Sequence, residues 1–374
     1  MKKSTADETS RSGLALAGTF RSAQAQARSV GWGLVGTGMI ARHFTEDLRS
    51  VAGAHLAAVT SRSFDKAAAF GAAFDARAHA DLDAMLRAPE VDAVYIATPN
   101  DTHFSTALAA LSAGKGVVVE KPLAMSRTEA EQLASFATEQ KLFLMEGMWT
   151  RFLPAMDFVR EALRSGAIGK VRRIDGELAF RHLYDPGNRF FDAAQGGGAL
   201  LDLGVYLISL SLALMGRAET VNGRWRAAPS GVDMAADIEM TFGTAQARLH
   251  CALDYEGANL FVIEGTHGSL VLQAPFIAAR QVTKTLAMAG RGLARMPGGP
   301  TARRAMAKLS RLAPSVPGLR HQLFDFSGYG LQFEIAAATQ ALAQGHTQHP
   351  LMPMADTVET LRIIETIRSQ GPAA

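Results

Sequence analysis

The spacing of hydrophobic positions changes part-way along the chain. From residue 30, short apolar runs alternate with amphipathic stretches. WGLVG, HLAAVT, VDAVYIATPN, GVVVE and KLFLME read as buried strands, short and rich in β-branched residues. Between them MIARHFTEDL, SFDKAAAFGAAF, DTHFSTALAALSAG and SRTEAEQLASFATEQ carry apolar residues at helical spacing. Such alternation predicts a parallel sheet with helices on both faces. Beyond residue 148 the rhythm differs. EGMWTRFLPAMDFVREALRSGAIG reads as a helix leading out of the first half. VRRIDGELAF, TVNGRWRA, ADIEMTFG, AQARLHCALDY, NLFVIEG and GSLVLQA read as strands joined by turns, with no crossover helices. That predicts an antiparallel sheet packed on helices, α+β in type. QGGGALLDLGVYLISLSLALMG gives a glycine-led apolar helix, and LMPMADTVETLRIIETIRSQ a closing amphipathic one. The expected division is an arm over 1–29, an α/β unit over 30–147 and an α+β unit over 148–374.

Composition narrows the class. With 374 residues, 48% hydrophobic and 20% charged, the chain suits a globular enzyme of two domains. No apolar run is expected to reach the ~20 residues of a membrane span. The single cysteine, Cys251, forms no internal disulfide or thiolate cluster. No histidine spacing suggests a metal site. The net charge of +3 is local: nine basic residues and no acidic one lie between Glu264 and Asp325. Without those nine, the chain's 38 basic residues fall to 29 against 35 acidic ones. This excludes a protein-wide nucleic-acid signature and marks about 281–320 as a basic insertion. Within it PTARRAMAKLSRLAP reads as a short surface helix, with docking to an anionic membrane surface or an acidic substrate as alternatives. Residues 1–29 hold only a short apolar run, GLALAG, below the 7–15 of a secretory signal. A flexible arm and a cytoplasmic location are expected. Export stays open because AQA at 23–25 resembles a cleavage site.

Candidate chemistry in the first half begins at Gly36, Gly38 and Ala41, which fit G-x-G-x-x-A between a strand and a helix. Gly36 permits a tight turn, Gly38 lets a pyrophosphate approach the helix N-terminus, and Ala41 allows close helix–strand packing. This is the dinucleotide-binding (Rossmann) pattern. The second strand ends in Thr60, Ser61 and Arg62, where an acidic residue would favour NAD. Hydroxyls and an arginine suit a 2′-phosphate, so NADP is expected and NAD stays possible. The plainer reading is that Ser61–Arg62 only opens the next helix. Glu120 and Lys121 end a buried strand at the sheet rim where ligands bind. Lys121 would bond the nicotinamide ribose and a substrate oxygen. In the second half Asp202 and Tyr206 stand four apart on an apolar helix and share a face. Either they cap and pack that helix, or they look into the cleft toward Lys121. In the second case Lys121 would lower the pKa of Tyr206 for proton transfer.

GTGMIA, ATPNDTH, EKPLA and GGGALLDLGVY together resemble the glucose–fructose oxidoreductase and inositol dehydrogenase family. The helix motif is most similar to its dihydrodiol and D-xylose dehydrogenase subgroup. The resemblance runs from about residue 31 to the C-terminus, apart from the basic segment. It implies a Rossmann domain followed by a large, mostly antiparallel open-faced sheet that commonly forms a homodimer. It implies cofactor contacts at Gly36, Gly38, Met39, Ile40, Ala41, Ser61, Arg62, Thr98, Pro99, Asn100, His103, Glu120 and Lys121. It places Lys121, Asp202 and Tyr206 in catalysis, and Trp149, Arg151 and Arg189 along the pocket. The expected activity is NADP-dependent hydride transfer to or from a sugar or cyclic diol, with no metal. A non-catalytic redox sensor is the alternative, although it would need neither Lys121 nor Tyr206.

Overall fold

The computed structural model describes residues 29–286 and 319–372. The arm before Ser29 and the helix expected within 300–314 lie outside the described residues.

The first sheet contains β1 (Val30–Val35), β2 (Ala54–Thr60), β3 (Arg77–His79), β4 (Ala93–Ile96), β5 (Gly116–Glu120) and β6 (Leu144–Gly147). All pairings are parallel and the order is β3-β2-β1-β4-β5-β6. The order reverses between β1 and β4, and in such sheets ligands bind beyond the strand ends at that reversal. Five helices connect the strands: α1 (Met39–Leu48), α2 (Phe64–Phe74), α3 (Leu82–Leu86), α4 (His103–Ser112) and α5 (Arg127–Gln140). Sequence chemistry sets their starts. Ser126 and Glu129 form a reciprocal capping box on α5, and Asp81 caps α3. β3 and α3 escaped the sequence reading because three and five residues are too few to show a period.

The stretch expected as one exit helix is divided. Glu146 and Gly147 finish β6, a 3₁₀ turn covers Trp149–Phe152, and α6 (Pro154–Arg164) starts at a proline in its first turn. Proline has no N–H to donate and disfavours a helical residue before it. The second sheet has β7 (Val171–Ala179), β8 (Thr220–Ala227), β9 (Asp233–Phe242), β10 (Ala245–Ala252), β11 (Phe261–Gly265), β12 (Gly268–Leu272), β13 (Gln281–Leu286) and β14 (Leu319–Leu323). Its order is β14-β13-β12-β11-β7-β10-β9-β8, antiparallel except for the β7–β10 pair. β13 and β14 flank the basic segment, so the ends of the expected insertion continue the sheet. α7 (Val205–Met215) and α9 (Met354–Ser369) pack on one face.

The other face of this sheet is charged. Arg224–Asp237, Arg248–Glu239 and Arg173–Glu264 pair across neighbouring strands. The stretch Ala193–Met215 is long and apolar enough to cross a membrane by length and composition alone. Here 78% of its apolar window is buried within the protein. After β14 the chain returns to the first sheet. α8 (Leu331–Ala343) packs on α1, and the Trp32 indole donates to Thr339 at 3.2 Å. One continuous apolar core joins both halves.

Candidate active site

Lys121 directly follows the last residue of β5, and its side chain crosses to the second half. Its ammonium donates to the Asp202 carbonyl at 2.8 Å and the Asp202 carboxylate at 3.1 Å. It also lies 4.9 Å from the centre of the Tyr206 ring. The Tyr206 hydroxyl accepts from the Trp149 indole N–H at 3.3 Å. Arg189 approaches the same Asp202 carboxylate at 3.7 Å and stacks on Phe190. Asp202 therefore faces two cations, one mostly covered and one half-exposed.

A glycine turn places Asp202. Gly196 and Gly198 have φ of +71° and +110°. A side chain on Gly198 would strike the Asp233 carboxylate at 2.6 Å. That carboxylate accepts from the Leu200 N–H at 2.5 Å and from Arg368 at 2.7 Å. The helix therefore starts tied to β9 and α9. Residues Leu200–Gly204 form a π turn before α7, a feature common at functional sites.

Burial dominates the electrostatics. Tyr206 is 6% exposed, and burial pushes its phenol up to about 12 although Lys121 and Trp149 pull the other way. The expected lowering by Lys121 is thus present but overridden, because removing a phenolate from water costs more than one off-axis ammonium returns. Lys121 itself is pulled down by burial, but the Asp202 carboxylate and the other anions prevail and its pKa ends up raised.

The dinucleotide turn stands at the reversal between β1 and β4. Gly36 has φ +110°, and a Cβ there would meet the Ala97 carbonyl at 2.5 Å. Gly38 caps α1 with no side-chain bond, and among the described residues nothing beyond its own chain neighbours and helix lies within 4 Å of where its Cβ would stand. The first-turn N–H groups of a helix have no intrahelical acceptor, so Met39, Ile40 and Ala41 frame a cradle that a side chain on Gly38 would fill. Ala41 is buried against the sheet and Met39 is exposed. Ser61 donates to the Ser63 carbonyl at 2.7 Å, and Arg62 is exposed beside it. Thr98, Pro99 and Asn100 form the turn after β4, and Asn100 donates to the Gly196 carbonyl at 3.3 Å. These residues fit a dinucleotide with a phosphate-bearing ribose.

Residues 30–148 match an oxidoreductase family with an NAD-binding Rossmann fold, and residues 156–271 match the GFO/IDH/MocA C-terminal domain. A trans-1,2-dihydrobenzene-1,2-diol dehydrogenase of Danio rerio is 33% identical over 249 residues, covering 65% of this chain and 74% of that protein. The chain belongs to the GFO/IDH/MocA family. The enzyme of the same name from Mus musculus is 28% identical over 343 residues, covering 90% of this chain and 95% of that one. A 3-ketoreductase from Actinomadura kijaniata, solved with NADP and TDP-benzene, shares the fold with a TM-score of 0.75 at 24% identity. That match covers 91% of this chain and 98% of the other.

Three expected site residues of this GFO/IDH/MocA oxidoreductase are turned away from the cleft. Arg151 is fully buried, bonding Ser209 at 2.9 Å, the Leu351 carbonyl at 3.1 Å and Asp356 at 2.7 Å. It ties the 3₁₀ turn to α7 and α9 and does not line the pocket. His103 is buried, with its ring nitrogens 2.7 Å from the Pro122 carbonyl and 2.9 Å from the Thr98 carbonyl. It clamps together the turns that follow β4 and β5. Glu120 points inward, where the Tyr95 hydroxyl donates to it. Beneath it lie two carboxylates that the sequence reading missed. Glu146 accepts from the Leu123 N–H and Thr357, each at 3.0 Å. Glu334 is 1% exposed, and neither of its carboxylate oxygens has a hydrogen-bond partner among the described residues. Burial raises all three carboxylates, Glu334 most strongly. A glutamate within the apolar stretch LQFEIAAA was the available signal.

Proposed function

We propose that this oxidoreductase prefers NADP and interconverts a hydroxyl of a sugar or cyclic diol with the corresponding carbonyl. Gly36, Gly38 and the first turn of α1 would hold the pyrophosphate, and Ser61 and Arg62 the 2′-phosphate. Thr98, Pro99, Asn100 and the Lys121 ammonium would face the rest of the cofactor. The nicotinamide, when bound, supplies the hydride chemistry.

The observation that carries the reading is the Tyr206 hydroxyl. It is held by the Trp149 indole 3.3 Å away, one helical turn from Asp202 and beside Lys121 at the carboxyl edge of the parallel sheet. A phenol raised to about 12 stays protonated at neutral pH. Tyr206 therefore acts as the proton donor when a carbonyl is reduced and receives the proton back in oxidation. Lys121 is locked by two bonds to Asp202, and its charge favours negative charge building on Tyr206 or the substrate oxygen. Arg189, half-exposed on the cleft side of Asp202, is the candidate contact for substrate hydroxyls. The names of the diol dehydrogenase relatives support the substrate class.

A homodimer through the second sheet belongs to the same proposal. Its contacts would be charge pairs contributed by the ladder of Arg173, Arg224, Arg248, Asp237 and Glu239.

The test is NADPH and NADP⁺ turnover on a panel of aldoses, cyclic diols and vicinal diketones, with Tyr206→Phe alongside. Tyr206→Phe should lower kcat about 10²–10⁴-fold while NADPH still binds. Cofactor binding without turnover of any panel member would favour a redox sensor. Full activity of Tyr206→Phe would remove the proton-transfer role.

A further inference from the structure

α1 has a second buried device at the end opposite the phosphate cradle. Asp47, in its last turn, is 3% exposed. Its carboxylate does not serve α1. It accepts the backbone N–H of Tyr329 at 3.0 and 3.1 Å, of Gly330 at 3.0 Å and of Leu331 at 2.9 Å. These donors open α8, whose own N-cap, Gly330, has no side chain to cap with. Asp47 thus caps α8 from another helix, and the carboxylate suits the positive end of the dipole. The fit is close on both sides. A Cβ on Gly328 would stand 2.1 Å from an Asp47 oxygen. A Cβ on Gly330 would stand 3.0 Å from both the Trp149 ring and Leu153. The neighbouring Tyr329 ring stacks on His43 of α1 at 3.6 Å. The backbone at 328–331 is therefore gripped by α1 and laid against the indole whose N–H donates to Tyr206.

We propose that Asp47 is a positioning residue for Tyr206, acting through Gly330 and Trp149. It resides on the helix that cradles the cofactor phosphates, so the same rigid element sets the cofactor and the direction of the proton-donating hydroxyl. The inference rests on the reading of Tyr206 as proton donor. The charged and titratable groups around that hydroxyl are Lys121, Asp202, Glu120 and Tyr95, with Arg189 beyond Asp202. Asp47 acts on none of them directly. The carboxylate fixes backbone, the backbone fixes an aromatic ring, and the ring fixes one hydrogen bond. A displacement of about 1 Å at such a group costs up to about 10²-fold in rate.

The first test needs no substrate. Ultraviolet resonance Raman reports the hydrogen bond of an indole N–H, and the Trp149 band is isolated by difference against Trp149→Phe. Asp47→Asn, which keeps one acceptor oxygen, should weaken that bond, and Asp47→Ala should weaken it more. Tyr206→Phe removes it and serves as the reference. An unchanged band in both Asp47 variants overturns the proposal. The second test is kinetic, with NADPH and the panel diketone or aldose that turns over. Asp47→Asn should lower kcat on the order of 10-fold with the KM for NADPH unchanged. In a Trp149→Phe background the same substitution should add less than about twofold, no more than the scatter of such cycles. An equal loss in both backgrounds would mean that Asp47 serves the fold alone. If Asp47→Ala does not fold, Asp47→Asn alone decides, and it must give both the Raman shift and the non-additivity with Trp149→Phe. Activity surviving in Tyr206→Phe would instead overturn the underlying assignment, so the two failures are distinct.

Discussion

The Lys121 ammonium lies over the ring of Tyr206, 4.9 Å from its centre, and is bonded to Asp202 instead of the phenol oxygen. It lowers the pKa of Tyr206 without overcoming burial, which leaves the phenol at about 12. The two directions of the reaction then differ in pH dependence. Carbonyl reduction uses the protonated phenol, so its kcat should be flat from about pH 6 to 9, where that form dominates. Alcohol oxidation needs the deprotonated form, whose fraction rises about tenfold per pH unit below the pKa. Its rate should climb with no plateau below about pH 10. A plateau near neutrality in the chemical step would show that the bound state places the phenol's pKa far lower.

Replacing Lys121 with methionine should act unequally. The ammonium favours the phenolate, so its loss raises the phenol further and penalises oxidation more than reduction. We expect oxidation to fall by about 10²–10⁴-fold and reduction by less. Equal losses in both directions, measured with a deuteride isotope effect, would mean that Lys121 orients substrate and does not tune the proton.

Arg62 is exposed just past the end of β2, where the second ribose of a dinucleotide is read. Arg62→Ala should raise the KM for NADP about tenfold or more, as loss of a charge-assisted contact of ~1.5–3 kcal/mol requires. The KM for NAD should change little. An unaltered NADP/NAD ratio would reassign the residue to opening α2.

Glu334 is buried near Glu120 and Glu146 with no hydrogen-bond partner among the described residues, and its pKa is raised well above the ordinary carboxylate range. A raised pKa means that the folded protein holds this proton more tightly than the unfolded chain does. The stability it gives is complete below the unfolded value and is lost as pH rises through the folded one. Glu334→Gln, permanently neutral, should therefore stabilise the protein at pH 8 by about 1–3 kcal/mol. The gain should vanish near pH 4. Thermal melts of both proteins across that range decide it. A constant difference between them would point to packing.

If the second sheet pairs two copies through its charged ladder, the dimer should be sensitive to salt. Exposed charges are largely screened at about 1 M salt. Light scattering at micromolar protein should show dimers at low ionic strength and a shift toward monomers at high salt. A monomer at both, or a dimer indifferent to salt, would remove the ladder from the interface.

Some of this protein is written locally. The β–α alternation of the first half follows from the spacing of Val, Ile, Leu and Ala, because strand and helix periods of 2 and 3.6 are properties of the nearest residues. Gly36 reads correctly for the same reason, since its φ of +110° is a backbone demand made where it stands. GGGALLDLGVY likewise announces a tight turn into a buried helix carrying a carboxylate and a phenol. Local pattern does not say what a polar side chain meets. Arg151 and Arg189 look alike in sequence, yet one is sealed among Ser209, Leu351 and Asp356 while the other is half-exposed beside the Asp202 carboxylate. β13 and β14 pair across residues that carry no shared period, because strand pairing is a long-range choice. Asp47 shows nothing in the sequence of α1 that points to Gly330, which lies 283 positions away. Only the return of the chain after β14 brings the carboxylate, the indole and the phenol into line. The sign of the Tyr206 shift was decided there too, because desolvation depends on everything packed around a group and charge alone does not reveal it.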